Sequence, residues 1–180
     1  MTQYRNNLFR LITASEGAEI AEAAAVLPLM FMMLLGIFWF GQAFSIYGAI
    51  TRAAQEGARA GAAPYCTTCN SPNTTVTNVT TAVNNVLRAA NLDTSLVQSS
   101  PPALNACAPV IPGITVNSCP ANGVCVRAPI ELSSTALGAT PVCGISVSFQ
   151  YPFRFWLPFT SLNKQLIYLT ASSRMRVETQ

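Results

Sequence analysis

The fold of this chain is decided by residues 17–50, which read GAEIAEAAAVLPLMFMMLLGIFWFGQAFSIYGAI. Behind Glu22 no residue carries a charge until Arg52. Alanine, leucine, methionine and phenylalanine dominate this stretch, so the sequence predicts one continuous helix from Ala18 to about Ala62. At about 1.5 Å per residue such a helix is about 67 Å long, more than twice the hydrocarbon thickness of a bilayer. Its first half is therefore predicted to span a membrane and its second half to protrude.

The composition fits a protein that spends part of its life in lipid or packed against partners. Only 9% of its 180 residues are charged, against about 25% in an ordinary soluble domain, while 51% are hydrophobic. The roughly 120 residues that follow the helix suffice for one modest core. The net charge is +3 and the basic residues are scattered, so the chain lacks the basic patch that binds nucleic acid. No nucleic-acid partner is expected.

The cysteines all lie after the apolar stretch, in a region rich in proline, asparagine, serine and threonine. They are Cys66, Cys69, Cys107, Cys119, Cys125 and Cys143. An even number on one side of a membrane helix predicts disulfides in an oxidising compartment, although the spacing does not choose the pairing. This side of the helix is therefore predicted to lie outside the cytoplasm.

Two alternatives compete for Cys66 and Cys69, which have the spacing of a zinc ligand pair or of a redox-active motif. Zinc needs a second pair, which the other cysteine gaps do not supply, and the chain contains no histidine. A redox-active pair normally opens a helix, whereas this one is followed by Asn70-Ser71-Pro72-Asn73. Structural disulfides are favoured, and no metal or cofactor is expected.

The chain before the helix is polar and carries Arg5 and Arg10, which favour a cytoplasmic leader. An ordinary signal peptide is the alternative, because Ala60-Gly61-Ala62 resembles a secretory cleavage site. However, a secretory apolar core is about 7 to 15 residues long, and this one is far longer. A retained membrane helix is therefore favoured over a removed signal.

Glu22 is an unusual charge at the edge of a membrane helix. A charged side chain at this depth is costly, so it is expected to have a function and a partner of opposite charge. If the peptide bond after Gly17 is cut, Ala18 gains a free amine one helical turn from Glu22. The amine of a neighbouring subunit is then a natural partner for this carboxylate and would fix the register between subunits. The alternative is that Glu22 only reaches the lipid headgroups.

Glycines within the predicted helix are spaced for close contact. Gly41 and Gly48 are one heptad apart, and Gly57 and Gly61 form a pair of small residues separated by three others. They predict either contact with another helix or packing against the chain's own head.

The first part of the head mixes one helix with short strands. Apolar residues recur every three to four positions between about Thr75 and Ala90, which predicts an amphipathic helix. Leu96 to Ser99 is expected to begin a strand. Thr115 to Val116 and Val124 to Arg127 are expected to be short strands at best, because proline blocks pairing in the middle of a sheet.

The last part of the head has clearer strand patterns. Residues 145–151 alternate apolar and polar side chains, which predicts a half-buried strand, and Leu166 to Val177 predicts a second one. Between them residues 151–159 are rich in aromatics and proline, and this segment is predicted to be a loop. It either contacts the bilayer or a partner subunit, or folds over the core of the sheet.

These patterns predict an α+β protein: a long, partly transmembrane helix followed by a small disulfide-stapled head with an antiparallel sheet. The predicted divisions are a leader at residues 1–17, a membrane and assembly helix at 18–62, and an extracytoplasmic head at 63–180. An enzyme is not expected, because histidine is absent and the acidic residues are too scattered to form an acid and base pair.

Three spaced blocks resemble the TadE-like family of tight-adherence (Tad, Flp) pilus pseudopilins. They are residues 17–28 (GAEIAEAAAVLP), residues 41–44 (GQAF) and residues 53–60 (AAQEGARA). The family pattern is a glycine, four residues, a glutamate, an apolar run, a glycine-containing turn and an A-x-x-G-A-R-like end. Residues 91–93 and 169–178 are similar to family endings. The family usually has an aromatic residue after the glutamate, where this chain has Ala23.

The resemblance implies cleavage between Gly17 and Ala18 by a prepilin peptidase of the inner membrane. It implies a pilin-like outline and a minor pseudopilin role in pilus assembly, with Glu22 as an assembly residue and the protein anchored once in the inner membrane. The implied partners are other pilins or pseudopilins and the pilus assembly platform. The alternative is a single-span envelope protein whose extracytoplasmic head binds or adheres without entering a pilus.

Overall fold

The architecture is α+β, as the sequence predicts. The computed structural model describes residues 15–63, 72–107, 115–132, 142–154 and 166–177. The elements, in chain order, are α1 (Ser15–Ala62), α2 (Pro72–Ala89), a short 3-10 helix (Thr94–Leu96), β1 (Val116–Ser118), β2 (Cys125–Glu131), β3 (Cys143–Arg154) and β4 (Leu166–Arg176). The chain divides into two compact units, Met1–Gln42 and Ala43–Gln180, and α1 contributes residues to both.

Helix α1 is continuous, as predicted, and begins slightly earlier than expected. It starts at Ser15 and not at Ala18, because serine and glutamate are favourable residue types in a first helical turn. It includes Pro28 in its interior and ends at Ala62. The end follows from Pro64, since proline disfavours helical geometry in the residue before it.

Helix α2 confirms the amphipathic pattern, with its bounds at Pro72–Ala89. Proline suits a first helical position because the N–H it lacks would have no partner there. Just after the helix, Asn91 has a φ of 56°, a left-handed conformation that asparagine tolerates. The N–H of Leu92 then donates to the carbonyl of Leu87 over 2.9 Å, which satisfies an otherwise unpaired helix end.

The expected strand at Leu96 to Ser99 was wrong, because a 3-10 helix occupies its start and only Gln98 makes a bridge, to Gln150. The cause is local. The Asp93 carboxylate accepts hydrogen bonds from the backbone N–H and the hydroxyl of Ser95, at 2.9 and 2.7 Å. Such short-range bonds give the backbone an alternative to a sheet ladder.

Replacing Asp93 by alanine is expected to lower the stability of the head at pH 7 and to have less effect in acid. The hydroxyl and then the N–H of Ser95 lower the pKa of the Asp93 carboxyl. A lowered folded-state pKa means that the stabilisation is complete above the ordinary value, about 4, and is lost as the pH falls through the folded value. Thermal midpoints of the Asp93→Ala variant and the wild type at pH 7 and pH 2.5 measure this difference. An equal difference at both pH values would contradict the assignment.

The sheet is antiparallel throughout, in the order β1-β2-β3-β4. Strand β2 is longer than predicted, because its pairing with β3 shifts register between Arg127 and Ile130 and so accommodates Pro129. The carbonyl of Pro129 accepts a hydrogen bond from the N–H of Cys107 at 3.2 Å. Proline therefore interrupts the ladder without ending the strand.

The strand predicted at residues 145–151 is confirmed as part of β3, but it is not half-buried, because both of its faces are buried. Val147 and Phe149 lie in the core at 0% exposure, but Ser146 and Ser148 on the opposite face are only 1% exposed. Alternating polarity marks which face is apolar. It does not reveal whether another segment covers the polar face.

Residues 98–107 supply that cover. Gln98 bridges to β3 at Gln150, and Ala106 bridges to β2 at Ile130, so the segment passes over the outer face of the sheet. Along the way the Ser148 hydroxyl donates to the carbonyl of Ser100 at 2.7 Å. The Arg127 guanidinium donates to the carbonyl of Pro102 at 3.0 Å.

The loop predicted at residues 151–159 was wrong in its first part, since Tyr151 to Arg154 continue β3 and pair with β4. Pro152 fits here because the N–H of Gln150, two residues earlier, points away from β4 towards Gln98. Backbone N–H groups two residues apart in a strand point the same way, so an N–H at position 152 would also point away from β4. The N–H that Pro152 lacks therefore removes no hydrogen bond to β4. Residues 155–159 lie outside the described part of the chain. Strand β4 confirms the prediction for its segment.

The core lies where the second half of α1 meets α2 and the sheet. Fully buried residues from each layer include Ile50, Ala53, Ala54 and Ala58 of α1, Val79, Val83 and Leu87 of α2, and Ile145, Val147 and Phe149 of β3. Burial of each large side chain contributes about 1.5–3 kcal/mol. The alanines of α1 let the other two layers approach it closely.

Within the residues that the structure describes, two disulfides cross-link the head. Cys107 is bonded to Cys143, with 5.7 Å between their Cα atoms, and Cys119 is bonded to Cys125, with 4.1 Å. These four sulfurs are thus not metal ligands. Cys66 and Cys69, with the disulfide and the alternatives predicted for them, lie outside the described residues.

Candidate functional site

The predicted cleavage bond, between Gly17 and Ala18, lies in the first turn of α1. The N–H groups of a first helical turn have no partner within the helix, so opening that turn costs little free energy. A protease that needs an extended strand of substrate would meet little resistance at this bond. The predicted leader, residues 1–17, falls almost entirely outside the described residues.

Glu22 stands one turn further along α1, beside Glu19, and both side chains are exposed. Among the described residues, Arg59 forms an ion pair with Glu56 at 3.4 Å, and neither Glu19 nor Glu22 takes part in an ion pair. Glu22 is therefore open to a partner from outside the chain.

The apolar side chains of α1 that follow Glu22 face outward. Large exposed hydrophobic residues continue from Val26 to Tyr47, and they include Leu29, Met30, Phe31, Met32, Met33, Leu34, Ile37, Phe38, Phe40 and Phe44. Soluble monomers rarely expose so large an apolar surface. The helix from Glu19 to Ala62, 44 residues, is long and apolar enough to cross a membrane.

The glycines of α1 divide into two groups. A methyl group at Gly57 would lie 2.6 Å from Val83 Cγ2, and one at Gly61 would lie 2.8 Å from Val79 Cγ2, so these two glycines pack against the head. A methyl group at Gly36, Gly41 or Gly48 would have no neighbour within 4 Å. The first group serves the fold. The second is open to close approach by another helix.

Residues 17–59 match the TadE-like protein family.

The TadE-like segment begins at the glycine of the predicted cut and ends in the part of α1 that packs on the head. The match implies a role associated with the Tad pilus, and this family consists of pilus components, not enzymes. With the candidate membrane helix it indicates a membrane-anchored protein. No curated protein and no solved structure matches the chain.

The head shows no obvious reaction centre in the part of the chain that is described. Across those residues, no group of three or more histidine, cysteine, aspartate or glutamate side chains is close enough to hold a metal ion. Its acidic residues, such as Asp93 and Glu131, lie on separate elements. The candidate functional surface among the described residues is the TadE-like segment, which carries the family match and the exposed apolar side chains.

Sequence reasoning missed one feature next to this segment, a groove between α1 and the end of α2. It has a volume of about 440 Å³ and its walls include Ser45, Gly48 and Arg52 on α1 with Ala89 and Ala90 on α2. The three α1 positions recur at three to four residue spacing, which places them on one helix face. That spacing was visible in the sequence, but the second wall needs α2 to be packed alongside.

Proposed function

We propose that this chain is a minor pseudopilin-like component of a Tad/Flp-type pilus assembly apparatus. It is processed by a prepilin peptidase after Gly17 and is anchored or assembled through α1. The mature protein then begins at Ala18, and the head occupies the extracytoplasmic end.

The observation that supports this proposal most strongly is that the TadE-like segment coincides with a helix whose side chains are exposed. The match starts at Gly17, and the helix behind it presents apolar side chains and unobstructed glycines at 36, 41 and 48. Such a surface suits lipid before assembly and neighbouring helices afterwards. A head built only to bind or adhere would need a membrane anchor, but it would not need a glycine five residues before a glutamate at the start of that anchor.

Processing places two complementary charges at the start of the mature helix. Cutting after Gly17 creates a positively charged amine at Ala18, and Glu22 supplies a carboxylate one turn later. Within an apolar assembly each charge is costly unless it is paired. Pairing between the amine of one subunit and Glu22 of the next satisfies both charges and fixes the register of the helices.

The proposed location is the inner membrane, which α1 spans once, with the head in the periplasm or another extracytoplasmic space. The protein is then incorporated in a pilus or at its base or tip. The disulfides Cys107–Cys143 and Cys119–Cys125 support this orientation, because such bonds persist in oxidising compartments. The proposed partners are the prepilin peptidase, other pilins or pseudopilins and the assembly platform.

N-terminal sequencing and intact mass of the protein purified from membranes test the proposal. We expect Ala18 as the first residue, and we expect the leader to be retained when the peptidase is absent or when Gly17 is replaced by leucine. Gly36→Leu is the matched control, because Gly36 lies on the same helix with open space around it; it should be processed normally. A mature protein that still begins at Met1 would favour the single-span envelope protein instead.

A further inference from the structure

The groove between α1 and the end of α2 combines apolar walls with a positive charge. Phe44 and Val86 supply large apolar side chains, and small residues of both helices line the space between them. Arg52 is the charged residue of the walls, and no carboxylate lies among the described residues that line the groove. A ligand with an apolar body and a negatively charged end matches these walls.

The position of the groove along α1 places it at the edge of a bilayer. The uncharged stretch of the helix begins at Ala23, directly after Glu22. About 20 helical residues cross a hydrocarbon core of about 30 Å, so the hydrocarbon ends near the start of the groove at Phe44. Arg52 follows Phe44 by about 12 Å along the helix axis. Apolar wall and positive charge therefore follow one another in the order of acyl chain and phosphate in a lipid.

The Arg52 guanidinium is available to a phosphate group. Its side chain is exposed, and it forms no ion pair with any residue that the structure describes. Glu56, one turn further along α1, is already paired with Arg59. Arg88 is exposed in the last turn of α2, next to the wall at Ala89, and adds a second positive charge. A phosphate oxygen at the groove can therefore accept a charge-assisted hydrogen bond from Arg52.

Gly48 keeps the middle of the groove open. A methyl group at this position would have no neighbour within 4 Å, although Gly48 belongs to the wall. The volume of about 440 Å³ lies in the range of sites that hold small ligands, about 300–1,000 Å³. The groove thus has room for part of a lipid, namely the headgroup and the upper part of one acyl chain.

We propose that this groove binds one anionic phospholipid of the membrane that α1 spans. The lipid phosphate accepts a hydrogen bond from the Arg52 guanidinium, and the acyl chain packs along Phe44 and Val86. The headgroup leaves the lipid with a net negative charge, because the walls offer no carboxylate to an ammonium group. The inference requires α1 to cross a membrane but requires no role in a pilus, so it goes beyond the proposed function and can fail without it.

Photo-labelling of the full chain in lipid nanodiscs tests the contact. Each disc holds one copy in phosphatidylcholine with a minor fraction of phosphatidylglycerol that carries a diazirine at the upper end of one acyl chain. Light expels nitrogen from the diazirine, and the resulting carbene inserts into a neighbouring bond that mass spectrometry locates. Adducts on α1 are expected of any spanning helix. The informative adducts are those that we expect at the end of α2, on Val86, Ala89 or Ala90.

Gly48→Leu tests whether the labelling lipid lies in the groove. A leucine side chain fills the open space, so the adducts on α2 should be lost. Gly41→Leu is the matched control, because Gly41 also has open space around it but does not line the groove. This control should be labelled like the wild type. Thermal unfolding shows whether the head of each variant stays folded.

Arg52→Gln tests the charge. It should lower labelling of α2 by the phosphatidylglycerol reagent about fivefold, the factor typical of one basic residue near an anionic headgroup. Arg59→Gln is the matched control, because Arg59 is paired with Glu56 and lies outside the groove. A phosphatidylcholine reagent with the same acyl chain should label α2 of the wild type more weakly.

Three results would overturn the inference. Adducts on α2 that persist in Gly48→Leu would come from lipid outside the groove. Equal labelling by the two reagents, or of the wild type and Arg52→Gln, would remove the preference for an anionic phospholipid. A wild type without adducts on α2 would leave the groove without a lipid. None of these results changes the first residue of the mature protein, which tests the proposed function separately.

Discussion

Removing the Cys107–Cys143 disulfide is expected to lower the free energy of unfolding of the head by about 4 kcal/mol, the loop-entropy value for a closure of this length. The two cysteines are 36 residues apart in the sequence. Without the bond the unfolded chain gains the conformational entropy of that loop, and the segment at residues 98–107 loses a covalent tie to the sheet. Unfolding of the Cys107→Ala/Cys143→Ala variant in urea, in detergent and followed by circular dichroism, measures the change.

The second disulfide is the matched control. Cys119 and Cys125 are only 6 residues apart. Their replacement by alanine in a double variant is therefore expected to cost about 2 kcal/mol by the same relation. If the short loop cost as much as the long one, strain or packing around the cysteines would outweigh loop entropy.

Replacing Gly57 by leucine is expected to lower the free energy of unfolding by about 2 kcal/mol, even though leucine is the better helix former. The first added carbon would lie 2.6 Å from Val83 Cγ2 and 3.3 Å from Val147 Cγ1. Both neighbours are methyl groups of stiff, β-branched side chains, so α1 must move away from α2 and from β3. Thermal unfolding of the purified protein followed by near-ultraviolet circular dichroism reports this loss of packing.

Gly41→Leu serves as the control for Gly57→Leu, because a carbon at Gly41 has nothing within 4 Å. The substitution is expected to leave the unfolding of the head unchanged. If the two variants unfold alike, the close approach of α1 to the head at Gly57 is refuted. The pair of variants therefore distinguishes the glycines that serve the fold from those left open.

Much of the candidate site was visible in the residues themselves. The apolar run of residues 17–50 predicted the long helix, because helix propensity and the absence of charge are local properties. The resemblance to the TadE-like family implied the cut after Gly17. The confinement of the cysteines to one side of this helix predicted a stapled head for the same reason. These predictions needed no knowledge of which elements touch.

The extent and cover of the strands were not visible in the same way. From the sequence, Pro129 and Pro152 would be expected to end a strand. Each lies at a position where a missing backbone N–H removes no hydrogen bond of the sheet, and that depends on the register of the neighbouring strand. Ser146 and Ser148 looked solvated, yet the outer face of β3 is covered by residues 98–107. Such cover joins segments about 45 residues apart, and loop closure over such a distance leaves no local sequence pattern.

The sequence by itself determined the α1 helix, the apolar surface behind Glu22 and the resemblance that points to pilus assembly. It left two interpretations for the glycines, and only the tertiary structure separated them. Gly57 and Gly61 meet valines of α2, while Gly41 and Gly48 meet nothing and one of them lies in a groove with Arg52. The physical reason is that a helical pattern fixes which residues share a face, whereas packing decides which of those faces another element fills.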